Sequence, residues 1–162
     1  MATTRQEAIA AIRELVRRGS ELAGRIPEND WQRPVYSGGW NVKQTFAHLA
    51  SMGGSPGFFI GMAQSGQGPS GGSGFDIDEF NAQQVAARDD KSPQELLEEY
   101  RTSHDAGIKA VESAPDDLLA REIFNFRGGT SPVLEVIQNS AAGHGQEHLD
   151  DIERALKGGW PT

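Results

Sequence analysis

Apolar residues recur at steps of three and four along four stretches of the chain, the spacing that places side chains on one face of an α-helix. The first stripe is Ile9, Ile12, Leu15, Val16 and Leu22. Thr4 followed by Glu7 has the spacing of a capping box, so a helix is predicted over 4–24, ending before Pro27. The second stripe is Val42, Phe46, Leu49 and Met52, behind Asn41 as N-cap and Gln44 at the matching third position. This helix carries His48. Gly53, Gly54 and the Ser55-Pro56 pair interrupt or kink it, because proline lacks an amide hydrogen and crowds the preceding turn, and 58–64 continues it.

Ser92, Pro93 and Glu95 place a cap, a first-turn proline and a first-turn acid in their favoured order, ahead of Leu96, Leu97, Tyr100, Ile108 and Val111. Ser131-Pro132 repeats that start signal. Val133, Ile137, Ala141, His144, His148, Ile152 and Leu156 follow it on one stripe, until Gly158-Gly159. Between these stretches, 28–39 brings Trp31 and Tyr36, with Trp40 just beyond, without periodicity and reads as an ordered loop across one end. Residues 65–74, SGQGPSGGSG, read as a flexible loop, and a short helix is predicted over 76–87. No stretch alternates with period two, so the expected fold is all-α, an antiparallel four-helix bundle forming a single domain over 1–162.

Composition supports one soluble core: 162 residues suit an ordinary domain, and 36% hydrophobic content is too high for a disordered chain. A net charge of −8 repels phosphate backbones and anionic headgroups, which argues against nucleic acid or a membrane surface as partner. The Arg13, Arg17 and Arg18 cluster lies beside Glu14 and Glu21 and reads as a solvated helix face. No apolar run is long enough to span a bilayer and the first ten residues are polar, so a cytoplasmic location is expected. Bundles of this kind commonly pair about a two-fold axis, and a homodimer is the expected assembly.

The absence of cysteine removes thiolate sites, leaving histidine and carboxylate as metal ligands. His144 and His148 are four apart, so on a regular helix both imidazoles leave one face a turn apart and can reach one ion. They are bracketed by Gly143 and Gly145, each costing a helix interior about 1 kcal/mol relative to alanine. These glycines make room either for a close helix or for a ligand; tight packing against Trp40 or Phe58 is the simpler alternative. Asp151 can accept the proton of the non-ligating nitrogen of His148, or can be one exposed acid in the Asp150-Asp151-Glu153 cluster. His48, at the edge of the second stripe, is a candidate third ligand. His104, in line with Tyr100 and Ile108, is either a contact in the same cavity or a hydrogen-bonded core histidine.

These residues also carry a resemblance. Gly39-Trp40-Asn41-Val42 leading to Phe46-Ala47-His48-Leu49-Ala50, the closing His144-Gly-Gln-Glu-His148-Leu149, and Phe75-Asp-Ile-Asp-Glu-Phe-Asn81 with Ser92-Pro-Gln-Glu-Leu96 are similar to motifs of one family. Over nearly its whole length the chain resembles the DinB/YfiT-like superfamily, particularly its mycothiol-dependent maleylpyruvate isomerase-like branch. The resemblance implies a four-helix bundle in which His48, His144 and His148 hold a divalent ion, zinc or nickel, with open positions for water or substrate. It also implies a low-molecular-weight thiol as co-substrate. Isomerase-like members often carry a further C-terminal domain that completes the active site, whereas this sequence ends at Thr162.

The expected activity is a metal-dependent thiol S-transferase acting on a small electrophilic molecule, with a metal-bound thiol or water as the attacking group and no catalytic side chain assigned. Hydrolysis of a reactive metabolite, or a non-enzymatic stress protein that binds metal or ligand, are the alternatives. Trp40, Asn81, Tyr100 and His104 are the expected substrate contacts, with Phe58 and the glycine-rich loop shaping the pocket.

Overall fold

Three helices begin at a reciprocal capping box. The side chains of Thr4, Asn41 and Ser92 each accept a hydrogen bond from the amide three residues on, and the side chains of Glu7, Gln44 and Glu95 accept one from the amide of the cap residue. The computed structural model describes residues 2–66, 76–125 and 127–159. The chain runs through α1 (Arg5–Arg25), a 3₁₀ turn (Glu28–Gln32), α2 (Val42–Met52), α3 (Ser55–Ser65) and α4 (Ile77–Ala86). It continues through α5 (Pro93–Ser113), α6 (Asp116–Leu119), β1 (Glu122–Phe124), β2 (Thr130–Pro132), α7 (Val133–Gln138), a π-helical segment (Asn139–Gly145) and α8 (Gln146–Leu156).

The fold is a four-helix bundle. Helix α1 lies along α5 on one side and along α7 and α8 on the other, and α2 closes the ring between α5 and α8. The predicted stripes meet in its core, where Ile12, Leu15, Phe46, Leu49, Leu96, Tyr100, Ile137, Leu149 and Ile152 are almost wholly buried. Helix α4 covers α2, and α3 packs on α5 and α7. None of the described helices is long and apolar enough to cross a membrane.

Four features depart from the expected elements. The segment after Met52 is a separate helix: Pro56 sits in the first turn of α3, where its missing amide hydrogen costs nothing, so it starts a helix instead of kinking one. A one-turn helix, α6, and a two-stranded antiparallel hairpin with Ile123 opposite Ser131 precede the last helix. Ser131 and Pro132 therefore belong to a strand, and the helix starts at Val133; strands of three residues are too short to show alternation. Finally, the last helix widens into π-turns across the glycine-flanked histidine. Most of 65–74, expected as a flexible loop, lies outside the described residues; Ser65 closes α3.

Close helix approach is concentrated at glycines. A Cβ on Gly107 would stand 2.6 Å from the carbonyl oxygen of Gly53, and one on Gly53 would overlap Ser103, so α2 and α5 touch through backbone there. Gly24 on α1 faces open space. In urea unfolding, Gly107→Ala is expected to lower stability by roughly 1–3 kcal/mol despite its better helix propensity, because the overlap is with backbone. Gly24→Ala is expected to raise it by roughly 0.5–1 kcal/mol. Equal effects at the two sites would contradict the packing described.

Candidate metal centre

The capping box at Asn41 sets the phase of α2. With the helix starting at Val42, the side chains of Val42, Phe46 and Leu49 are fully buried, and His48 beside them is only 3% exposed. On the last helix the core positions are Ala141, Gly145, Leu149 and Ile152. His144 and His148 therefore lie one step off the core stripe on which they were expected, His144 exposed and His148 half-buried. Of the two flanking glycines, Gly145 answers to packing, since a Cβ there would stand 2.8 Å from Leu15. Gly143 faces near-open space, its nearest neighbour being the Arg127 guanidinium at 4.0 Å.

The three rings converge. His48 Nε2 is 3.4 Å from His144 Nε2, which is 3.1 Å from His148 Nε2. One ligand atom from each lies within 4.8 Å of the other two, and this is the one cluster of such groups among the described residues. Nitrogens bound at about 2.0–2.1 Å to one ion sit roughly 2.9 Å apart on an octahedral edge and roughly 3.4 Å apart on a tetrahedral one. The observed separations fall in that range. The donor set fits as well, since three neutral imidazoles facing one point bring more lone pairs together than the protons between them can satisfy. A divalent cation satisfies them all, so the three histidines could bind a metal.

Electrostatics keep the rings neutral. Burial, then the neighbouring His148 and His144, push His48 down to about 3. Burial, then His144, push His148 down to about 4 against the pull of Asp151. His144 is lowered by burial, opposed by Glu147 and helped by Arg127 on the β-hairpin. Neutral imidazole is the ligating form, so no proton has to leave a cationic ring before an ion enters.

The loop ahead of α2 supplies what sequence reasoning missed. A bridge between Pro34 and Asn41 closes it, and Gly39 donates to the Tyr36 carbonyl at 3.1 Å in a tight turn. Gly38, at φ 66°, takes the left-handed position of that turn. The turn delivers two aromatic residues to two of the candidate ligands. The Trp40 ring lies 5.0 Å from that of His48. The Tyr36 hydroxyl is 2.7 Å from His148 Nδ1 and donates to Asp151 at 2.6 Å, while Arg154 donates to the other oxygen of Asp151 at 2.6 Å. Asp151, which the sequence leaves as either a direct acceptor for His148 or an exposed acid, contacts Tyr36, which in turn contacts His148. Burial and then Asp151 raise Tyr36 above the ordinary phenol range, so it stays protonated. The Tyr-Ser-Gly-Gly-Trp turn just before the histidine helix was the available signal. His48 Nδ1, by contrast, is buried without a hydrogen-bond partner among the described residues, and its ring packs against Trp40.

Of the other expected substrate contacts, Trp40 is at the site. Tyr100 is wholly buried, stacked between Phe46 and His104, with its hydroxyl donating to the Leu15 carbonyl. His104, also buried, donates from Nδ1 to the Tyr100 carbonyl at 2.6 Å and borders a cavity of about 10 Å³ beside Leu15, Met52 and Ala141, room for no more than one water. Both are placed as core residues. Asn81 is half-buried on α4 with no side-chain hydrogen bond among the described residues, and Phe58 is 53% exposed on α3.

A pH dependence follows. All four histidines have folded pKa values below the free value of 6.5. The unfolded chain therefore binds more protons as the pH falls, so stability is complete above about 6.5 and is lost as the pH drops toward about 4 and below. The perturbed glutamates act only below 4.5, which leaves the window above that to histidine. Urea unfolding of metal-free protein between pH 7 and pH 4.5 is expected to show this slope, and His48→Gln is expected to reduce it. An unchanged slope in the variant would contradict burial of a neutral His48.

Comparison with known proteins agrees with this architecture. The family model for the mycothiol maleylpyruvate isomerase N-terminal domain matches residues 12–147, which include His48 and His144. No curated protein matches the sequence. The crystal structure of mycothiol-dependent maleylpyruvate isomerase is similar at a TM-score of 0.67 and 16% identity, covering 99% of this chain and 63% of that one. A mutant of the isomerase is similar at 0.68 and 15%. The chain thus spans less than two thirds of that enzyme's length. YfiT from Bacillus subtilis, described as a probable metal-dependent hydrolase with an unusual four-helix bundle topology, is similar at a TM-score of 0.70 and 14% identity, covering 96% of this chain and 89% of that one. At these identities the structural likeness shows the fold. With most of its length matched by the family model, the chain belongs to the mycothiol maleylpyruvate isomerase N-terminal domain family.

Proposed function

We propose that the protein binds one divalent ion, zinc or nickel, through His48, His144 and His148 and catalyses transfer of a low-molecular-weight thiol to a small electrophilic molecule. The observation that carries this reading is the convergence of the three Nε2 atoms at 3.1 and 3.4 Å on the boundary between core and surface. A divalent ion bound by three histidines keeps open positions, at which it lowers the pKa of a thiol or water and polarises an electrophile. The chain's own residues do the rest. His48 forms the buried floor, with Trp40 packed on its ring to limit water, while exposed His144 marks the side from which small molecules enter. The chain contains no cysteine, so the thiol has to be a separate molecule.

Hydrolysis is the second reading, with water in place of the thiol. It is favoured by the likeness to YfiT, most of whose length this chain covers. Tag-free protein loaded with zinc or nickel, assayed on a panel of electrophiles with and without added thiols, separates the two. Turnover requiring both metal and thiol, and reduced at least 100-fold in His148→Ala, is expected. Turnover independent of thiol would replace the transferase reading with the hydrolase one, and failure of the loaded protein on the whole panel would overturn both.

A further inference from the structure

Two short contacts meet at the Tyr36 hydroxyl, and they leave one arrangement of protons. Its oxygen is 2.6 Å from Asp151 Oδ2 and 2.7 Å from His148 Nδ1. The other oxygen of the Asp151 carboxylate forms an ion pair with Arg154, which donates to it at 2.6 Å. A carboxylate oxygen and a phenol oxygen at 2.6 Å need a proton between them, and only the phenol can supply it. The phenol proton is thereby committed to Asp151, so the contact to His148 has to use a proton from the ring: His148 Nδ1–H donates to Tyr36. Neutral histidine carries one ring proton, so its Nε2 is left as a bare lone pair facing His144.

We infer that Tyr36 is a positioning residue for the candidate metal centre, passing the charge of Asp151 to His148 and locking it in the Nδ1–H tautomer that offers Nε2 as ligand. This rests on reading the triad as a metal site. It also assigns unlike means of orientation to two ligands that the same turn serves. His148 is fixed by a hydrogen-bonded chain running Arg154, Asp151, Tyr36, His148, whereas His48, whose Nδ1 has no partner among the described residues, is fixed by packing against Trp40. Outer partners of this kind affect metal affinity 10- to 100-fold.

Tyr36→Phe removes the hydroxyl and keeps the ring. On metal-free protein labelled with ¹⁵N-histidine, long-range ¹H–¹⁵N correlation is expected to show His148 as the Nδ1–H tautomer in the wild type and as a mixture in Tyr36→Phe. Asp151→Asn presents an amide donor to the phenol oxygen, which frees the phenol proton for His148 Nδ1, so this variant is expected to shift His148 toward the Nε2–H tautomer. Competitive titration with Zn²⁺ is expected to show 10- to 100-fold weaker binding in Tyr36→Phe at unchanged circular dichroism. A wild-type His148 in the Nε2–H tautomer, or a Tyr36→Phe protein with wild-type tautomer and Zn²⁺ affinity within twofold, would overturn the assignment. Should Tyr36→Phe not fold, the tautomers of the wild type and Asp151→Asn decide it. If the wild type takes up no Zn²⁺, the metal reading fails, while the metal-free tautomer still tests the Tyr36 lock.

Discussion

The candidate metal centre depends on the register between α2 and the last helix, because its three nitrogens come from positions 96 and 4 residues apart yet meet at separations of 3.4 and 3.1 Å. A one-residue slip of a helix moves a side chain by about 1.5 Å along the axis and turns it by about 100°. Metal sites tolerate about 0.2 Å in ligand distance, so the packing has to exclude that slip. The Asn41 capping box fixes where α2 begins, and Trp31 and Tyr100 grip Phe46 from two sides. On the other helix, Gly145 lets Leu15 close to contact, and the π-turns shift the phase between the α7 core face and that of α8. The result places His144 and His148 at the rim of the core.

That rim position reconciles two demands. A ligand in the deep core would be shielded from any substrate, and a ligand in bulk water would be protonated more readily and wander. His48 is buried, His148 half-buried and His144 exposed, so the triad grades from floor to mouth. Burial holds His48 and His148 neutral, and the loop over 33–41 contacts both: Trp40 packs on His48, and Tyr36 hydrogen-bonds His148. The candidate ligands are thus carried by helical segments and contacted by a turn that Gly38 closes in the left-handed conformation.

Much of this was legible in the chain. The capping boxes at Thr4, Asn41 and Ser92 and the four apolar stripes gave the bundle, because both signals are local. His144 and His148 stood out by spacing and by their flanking glycines, and the resemblance added His48. What escaped notice depends on long-range geometry. Tyr36 acquires its meaning from partners 112 and 115 residues away, and no periodicity marks it. The π-turns have no residue preference of their own beyond Gly143 and Gly145, and the hairpin strands are too short to alternate. Tyr100 and His104 share the helix face from which substrate contacts were expected, but that face turns toward Leu15 and Phe46, so the core claims them.

The central claim is that one ion is bound by the imidazoles of His48, His144 and His148. X-ray absorption spectroscopy of zinc-loaded, tag-free protein tests it most directly, because imidazole rings leave a multiple-scattering signature that counts them. Three imidazole nitrogens at about 2.0–2.1 Å with the remaining coordination from oxygen or nitrogen is the result expected. A shell with fewer than three imidazoles, or one made of carboxylate oxygens, would contradict the account.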